Sequence, residues 1–469
     1  MSSRAQVIWT FLITSIALFM TTLDNLVVTT ALPTMQRDLH ASISGLEWTV
    51  NAYTLTFAVL LMLGAAIGDR FGRKRVFLAG LGIFTLGSAM AAASPSIEWL
   101  VAARAVQGVG GAVVTPLTLT ILSDAVPAER RGLALGMWGG ISGLGVAIGP
   151  LVGGAVVQGL SWQWIFWLNV PIGLAVIPLG FSRLRESHGP AARLDVTGVG
   201  LVTGAAFGLV WGLVRANSHG WTSPEIVASL VAGGALLIAF VAWERRVREP
   251  MLPMRFFRNR AFAAANAASL LMFFGMFGSI FLLTQYLQNV QGNSPLEAGL
   301  RMLPWTGMPM IVAPIAGAMT DRIGARPFLV AGLALQATAL AWLAAVTAPD
   351  VAYVELVPPF VMAGVGMALF FAPVATVVLG AVRPSEAGKA SGANNAIREL
   401  GGVFGVAVLA SIFAHQGGYG SPDLFTDGIV PALWVGAAVV GIGALAATAL
   451  PGRRQTGARI GEAVLQGAD

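Results

Sequence analysis

Two acidic residues stand where an apolar chain rarely keeps a charge. Asp24 is the one ionisable group between Val7 and Leu32, and Glu399 lies about ten residues inside another apolar segment that begins near Lys389. At ~1.5 Å per helical residue, Glu399 sits ~15 Å deep, close to mid-membrane. A carboxylate at that depth is costly and marks a functional site by default. The chemistry it offers is the exchange of a proton for a cation, because desolvation raises a carboxyl pKa toward the working range. Two arginines lie at comparable positions, Arg104 and Arg398. Arg104 falls at a depth similar to that of Asp24 (~9–14 Å) if their segments run antiparallel. It could tune the acid by lowering its pKa, or pair with it permanently to fix helix packing. In the segment of Glu399, a spacing of four places Asn395 and Glu399 on one helix face and Asn394 and Arg398 on the next. Asn25 follows Asp24 directly and is a candidate cavity residue, as are Asn395, Phe273, Phe277, Met362 and Phe370, because Met and aromatic surfaces suit promiscuous binding.

The elements that hold these groups follow from composition. The 469 residues are 56% apolar and 11% charged, with a mean hydropathy of +0.76. Soluble domains carry about 25% charged residues. Fourteen apolar segments, each long enough to cross a hydrocarbon core, run at roughly 7–32, 46–67, 76–94, 99–122, 132–158, 162–181, 196–214, 224–243, 262–287, 297–319, 327–347, 354–380, 390–414 and 429–450. The sequence therefore predicts an all-α polytopic membrane protein with fourteen transmembrane helices. The first segment carries Asp24 and runs into Leu32-Pro33 with no small-residue cleavage site, unlike a signal peptide.

Charge placement orients the helices. Of the 28 lysines and arginines, 23 fall in alternate loops, and the intervening loops hold only Arg37 and Arg215. The basic loops are expected on the cytoplasmic side, with both termini. Topology thus accounts for the net charge of +6, and no nucleic-acid partner is expected. There is no cysteine, and His40, His188, His219 and His415 are scattered, so no metal site is expected. The chain lacks a nucleotide-binding phosphate loop and the common hydrolase motifs. An enzyme is not expected, nor any cofactor beyond a proton gradient as energy source.

An internal repeat divides the chain. Gly68-Asp69-Arg70-Phe71-Gly72-Arg73-Lys74-Arg75 recurs as Thr320-Asp321-Arg322-Ile323-Gly324-Ala325-Arg326, with Asp69 and Asp321 252 residues apart. Both copies join helices on the basic side, so the halves have parallel topology. The expected organisation is an N-terminal six-helix bundle (1–182), two inserted helices (183–243), a basic cytoplasmic connector (244–261), a C-terminal six-helix bundle (262–452) and a cytoplasmic tail (453–469). The repeated loop is expected to act as a conformational latch through Gly68, Asp69, Arg70, Gly72, Arg73, Asp321 and Arg322. Asp69 is placed to cap a helix N-terminus. Further along, Gly145, Gly149 and Gly153, with Gly154 and Pro150, form a seam of bare backbone suited to close helix contact.

These motifs resemble those of the major facilitator superfamily. The Gly68–Arg75 loop is similar to the family's signature between its second and third helices. Leu23-Asp24-Asn25-Leu26-Val27-Val28-Thr29-Thr30-Ala31-Leu32-Pro33 resembles the first-helix motif of the fourteen-helix drug:proton antiporters. Arg104 to Ala112 resembles the fourth-helix motif linked to proton coupling, and Gly145 to Gly154 the fifth-helix antiporter motif. The first motif departs from the family pattern: Asn25 directly follows Asp24, and Thr29 or Thr30 stands where Asn is usual. The resemblance implies a major facilitator fold of two pseudo-symmetric bundles. It also implies a proton-coupled exporter of small lipophilic, cationic drugs or toxic metabolites, working as a monomer in a bacterial cytoplasmic membrane. Other cargoes (a lipid, a siderophore, a self-made antibiotic) and a non-transporting scaffold or sensor stand as alternatives.

Overall fold

Positions 42, 96, 223, 294 and 421 are all serine, and each begins a helix by accepting the backbone N–H three residues on. Such caps satisfy donors that the first helical turn leaves orphaned. All five lie on the arginine-poor side. On the other side the repeated loop turns on Gly72 and Gly324, with φ of +105° and +94°. A side chain at either would be strained, so both copies require glycine there.

A computed structural model of the chain describes residues 3–189, 195–383 and 386–450, apart from the side chains of 3, 4, 128–136, 139, 142, 217, 218, 321 and 372. Every regular element among them is helical: α1 (Ser3–Leu39), α2 (Ile43–Phe71), α3 (Arg73–Ala92), α4 (Ile97–Ala125), α5 (Ala128–Gly159), α6 (Trp164–Trp167), α7 (Asn169–Arg183), α8 (Val196–His219), α9 (Pro224–Glu244), α10 (Arg260–Asn289), α11 (Pro295–Thr306), α12 (Met308–Ile323), α13 (Ala325–Val346), α14 (Tyr353–Gly380), α15 (Ala387–Gln416) and α16 (Pro422–Thr448). A short 3-10 turn, Met254–Arg258, precedes α10.

Thirteen stretches among the described residues are long and apolar enough to cross a membrane, and Gly143–Gly159 within α5 is a shorter apolar helix. They coincide with the fourteen expected segments. Two crossings are broken. α6 and α7 share one, and α11 and α12 share another, where Gly307 and the following Pro309 interrupt the ladder.

α1 to α7 pack mainly with one another, through α2 on α4, α3 on α4 and α1 on α5. α10 to α16 do the same, through α10 on α15, α13 on α14 and α13 on α16. α8 and α9 form a pair resting on α2 and α15. The two groups meet along α5 with α11 and α2 with α15.

Small residues set these contacts. A Cβ on Gly154 would stand 2.2 Å from the Pro295 carbonyl, and one on Gly299 2.3 Å from that of Pro150. Gly145, Gly149 and Gly153 face α1 instead, against Thr22, Leu26 and Val27. The seam is thus two-sided: three glycines bind α5 within its own half, while Gly154 and Pro150 carry it against the other.

Candidate functional site

Asp24 and Arg104 meet. Arg104 Nη1 donates to Asp24 Oδ2, and both side chains are about 1% exposed or less. The other carboxylate oxygen, Oδ1, accepts from Gln107 Nε2 at 2.8 Å and Asn169 Nδ2 at 3.0 Å. Ser88 Oγ accepts from both amides, at 2.6 Å and 3.2 Å. Arg104 also donates to Gln107 Oε1 at 2.6 Å and to the Thr49 carbonyl at 3.2 Å. Its guanidinium lies over Tyr53, 4.3 Å from the ring centroid, with Phe166 at 5.6 Å. α1, α2, α3, α4, α6 and α7 all contribute, so the network pins together most of the first half.

Of the two arrangements open from the sequence, the structure has Arg104 paired with Asp24. Every oxygen of Asp24 has a charged or amide donor, and aromatic rings close the space above its partner. Removing either partner of such a buried pair leaves an uncompensated charge. In this arrangement Asp24 has no open side from which to take a proton or cargo. Sequence reasoning missed Gln107, Asn169 and Ser88. Gln107 lies one turn beyond Arg104 on the same face, and Asn169 is the polar residue in the otherwise apolar run Ile165-Phe166-Trp167-Leu168-Asn169-Val170; both positions carried a signal.

Glu399 presents the opposite case. It is linked by a side-chain hydrogen bond to Asn25 of α1, and its Oε2 is buried without a partner. Arg398, adjacent in sequence, points elsewhere. Its Nη1 donates to Asn395 Oδ1 at 3.2 Å, and its guanidinium stands 4.3 Å from the centroid of Phe273 and 5.1 Å from that of Phe371. Its Nε and the Asn25 Oδ1 are also buried and unpartnered. Buried polar atoms normally find partners, so several orphans in one place set this cluster apart from the fully bonded Asp24 network. Thr29 and Thr30 bond back to the carbonyls of Leu26 and Val27 and take no part. Asn394 is held apart as well, donating to Asn266 and Ser269 of α10.

Of the expected cavity residues, Asn25, Asn395, Phe277 and Met362 are partly exposed. Phe273 is 2% exposed but forms one face for Arg398. Phe370 is fully buried in the core of the second half, against Phe371, which itself lies by Arg398. The ring of Phe277 also packs against Gly402, whose missing side chain admits it.

The latch loop is anchored within the first half. Arg73 Nε donates to Asp69 at 2.7 Å, and Arg73 also pairs with Asp124 at the end of α4. The segment after α7 closes over it: Gly189 N donates to the Asp69 carbonyl at 3.0 Å, and Arg73 N to that of Ser187 at 2.8 Å. The helix-capping role expected of Asp69 belongs to Glu186, whose carboxylate accepts from Lys74 N at 2.9 Å and Arg75 N at 3.3 Å. A Cβ on Gly72 would stand 2.8 Å from that carboxylate. Gly68 lets α2 pass Leu117 of α4. Arg70 lies against Phe71. In the second copy, Arg322 is exposed, and the Asp321 side chain lies outside the described residues.

Two packed helical groups, a small-residue seam between them and charged clusters at membrane depth define a polytopic transporter of small molecules. The chain belongs to the major facilitator superfamily, whose family model matches residues 14–406 and 267–463. Members of that family carry small substrates across a membrane. The chain is 35% identical over 424 residues to the tetracenomycin C resistance and export protein of Streptomyces glaucescens, covering 90% of this chain and 79% of that one. It is 37% identical over 414 residues to the multidrug resistance protein Stp of Mycobacterium tuberculosis, covering 88% and 76%. Among solved structures it resembles an auto-inhibited peptide transporter of the POT family, with a TM-score of 0.71 at 16% identity over 95% of this chain and 96% of that one. At that identity the likeness is one of fold.

Proposed function

We propose that this protein exports small lipophilic compounds from a bacterial cell in exchange for protons, and that Glu399 is the exchanging acid. The orphaned Oε2 of Glu399 carries the reading. Arg398 is held by the faces of Phe273 and Phe371; its charge acts on Glu399, but no ion pair joins the two among the described residues. That leaves the oxygen for a proton in one state and for a cationic nitrogen of the cargo in another, and the competition between them is the coupling. The resistance and export roles named for the two relatives favour drugs and self-made antibiotics as cargo.

Asp24 and Arg104 hold the frame instead. The Arg-rich loops favour a cytoplasmic position for both termini. On that topology, the contacts of Gly154 with Pro295 and of Gln158 with Leu296 N at 3.3 Å lie at the outer end and close it. The repeated loop governs release of the inner end.

The test is proton release from detergent-solubilised protein on addition of a lipophilic cation, followed with a pH dye. Wild type should release protons and the folded Glu399→Gln variant should not, and its affinity for the cation should fall. Undiminished release from the folded variant rejects Glu399 as the exchanging group.

A further inference from the structure

The two inserted helices border a cavity of about 310 Å3 whose lining is wholly apolar. That is near the lower end of the ~300–1,000 Å3 usual for ligand pockets. Its walls are α2 (Val59, Met62), α15 (Ala393, Ile397), α9 (Val241) and the connector (Leu252), with α8 behind. The connector is folded back to form this wall: Glu244, 3% exposed, accepts Leu252 N–H at 2.9 Å. Leu237, 43% exposed, borders the cavity on the flank of the molecule, so the space opens sideways toward lipid.

The charges at its basic end identify the occupant. On α9, Leu237 and Val241 continue at the same spacing of four to Arg245, and on α15, Ile397 and Ala393 continue back to Lys389. Both cations are exposed, and Lys389 Nζ bridges to the Pro250 carbonyl of the connector at 3.2 Å. The nearby Arg255 is already paired with Glu386. A fully apolar slot with two cations at its basic end suits a phospholipid with an anionic headgroup.

We propose that this cavity binds one acyl chain of an anionic phospholipid, with its phosphate on Arg245 and Lys389. The site touches α2 and α15, one of the two helix pairs along which the halves meet. A bound lipid therefore bears on the surface that must shift during transport, and this gives the inserted helices a task.

The test is native mass spectrometry of the full-length protein, delipidated in detergent and titrated with phosphatidylglycerol or phosphatidylcholine of identical chains. One phosphatidylglycerol should be retained at least about tenfold more tightly than phosphatidylcholine, the scale expected of two basic contacts at a membrane surface. The double variant Arg245→Gln, Lys389→Gln changes only exposed side chains and should lower phosphatidylglycerol retention to the phosphatidylcholine level. Val241→Trp, which fills the cavity, should abolish retention of both, whereas Ile238→Trp, on a face that is 73% exposed, should change nothing. Equal retention of the two lipids, or undiminished retention in the double variant, overturns the proposal. So does one-for-one displacement of the lipid by a lipophilic cation, which would make the cavity a cargo vestibule. Binding is read here without transport, so failure leaves the proton-exchange proposal standing.

Discussion

Asn25 follows Asp24 on α1, yet it bonds to Glu399 of α15 while Asp24 is sealed into the first half by Arg104. Neighbouring residues on one helix thus serve two clusters, one closed and one with orphaned atoms. Tyr53 lies within electrostatic reach of Asp24, Arg104 and Glu399 together, so the clusters are adjacent. Movement of α1 relative to α15 would change the surroundings of Glu399 and leave the Asp24 pair intact.

Asp24→Asn leaves Arg104 buried with its charge uncompensated. The expected loss of stability is about 3–5 kcal/mol, the usual scale for removing one partner of a buried pair. Arg104→Gln should cost a similar amount. The double variant should recover much of it, because two neutral amides can satisfy each other. Thermal unfolding in detergent measures all three, and additive losses would show that the pair is not a unit.

Glu399→Gln should behave differently. Its Oε2 has no partner to lose, so the melting temperature should change little while proton-driven accumulation of drug in vesicles falls about a hundredfold or more, the scale of general acid–base roles. A variant that unfolds as readily as Asp24→Asn would place Glu399 among the structural charges.

Glu186→Gln weakens the cap on α3 and should destabilise the protein by about 0.5–2 kcal/mol. Asp69→Asn removes one of the two carboxylate partners of Arg73 and a tie between α2 and α3. We expect it to slow turnover several-fold with substrate affinity unchanged. Transport rates and equilibrium binding, measured side by side, separate the two; an unchanged rate contradicts the latch.

Gly154→Leu should hold the outer ends of α5 and α11 apart, since even a Cβ there would stand 2.2 Å from the Pro295 carbonyl. We expect proton leak in vesicles that lack drug. Gly140→Leu, where a Cβ would meet nothing within 4 Å, is the control and should stay tight.

The absence of cysteine permits a clean test of orientation. Single cysteines at His40 and at Arg70 should label from opposite faces of intact cells, with His40 reacting with an impermeant thiol reagent and Arg70 protected. Labelling of both from outside would refute the proposed topology.

Helix number, the repeat and the placement of charge were legible in the residues because each depends on local or periodic properties. Twenty apolar residues span a bilayer whatever their neighbours do, and glycine at positions 72 and 324 reflects a backbone angle that other residues resist. The roles of the two acids were not legible. Asp24 and Glu399 look alike in sequence, each a carboxylate in an apolar helix with an arginine available. Only the tertiary structure decided that Arg104 turns onto Asp24 with Gln107 and Asn169, while Arg398 turns away from Glu399 onto Phe273 and Phe371. The reason is physical: whether a buried charge is spent depends on donors from several helices arriving at one point, and neither helical periodicity nor hydropathy records that convergence.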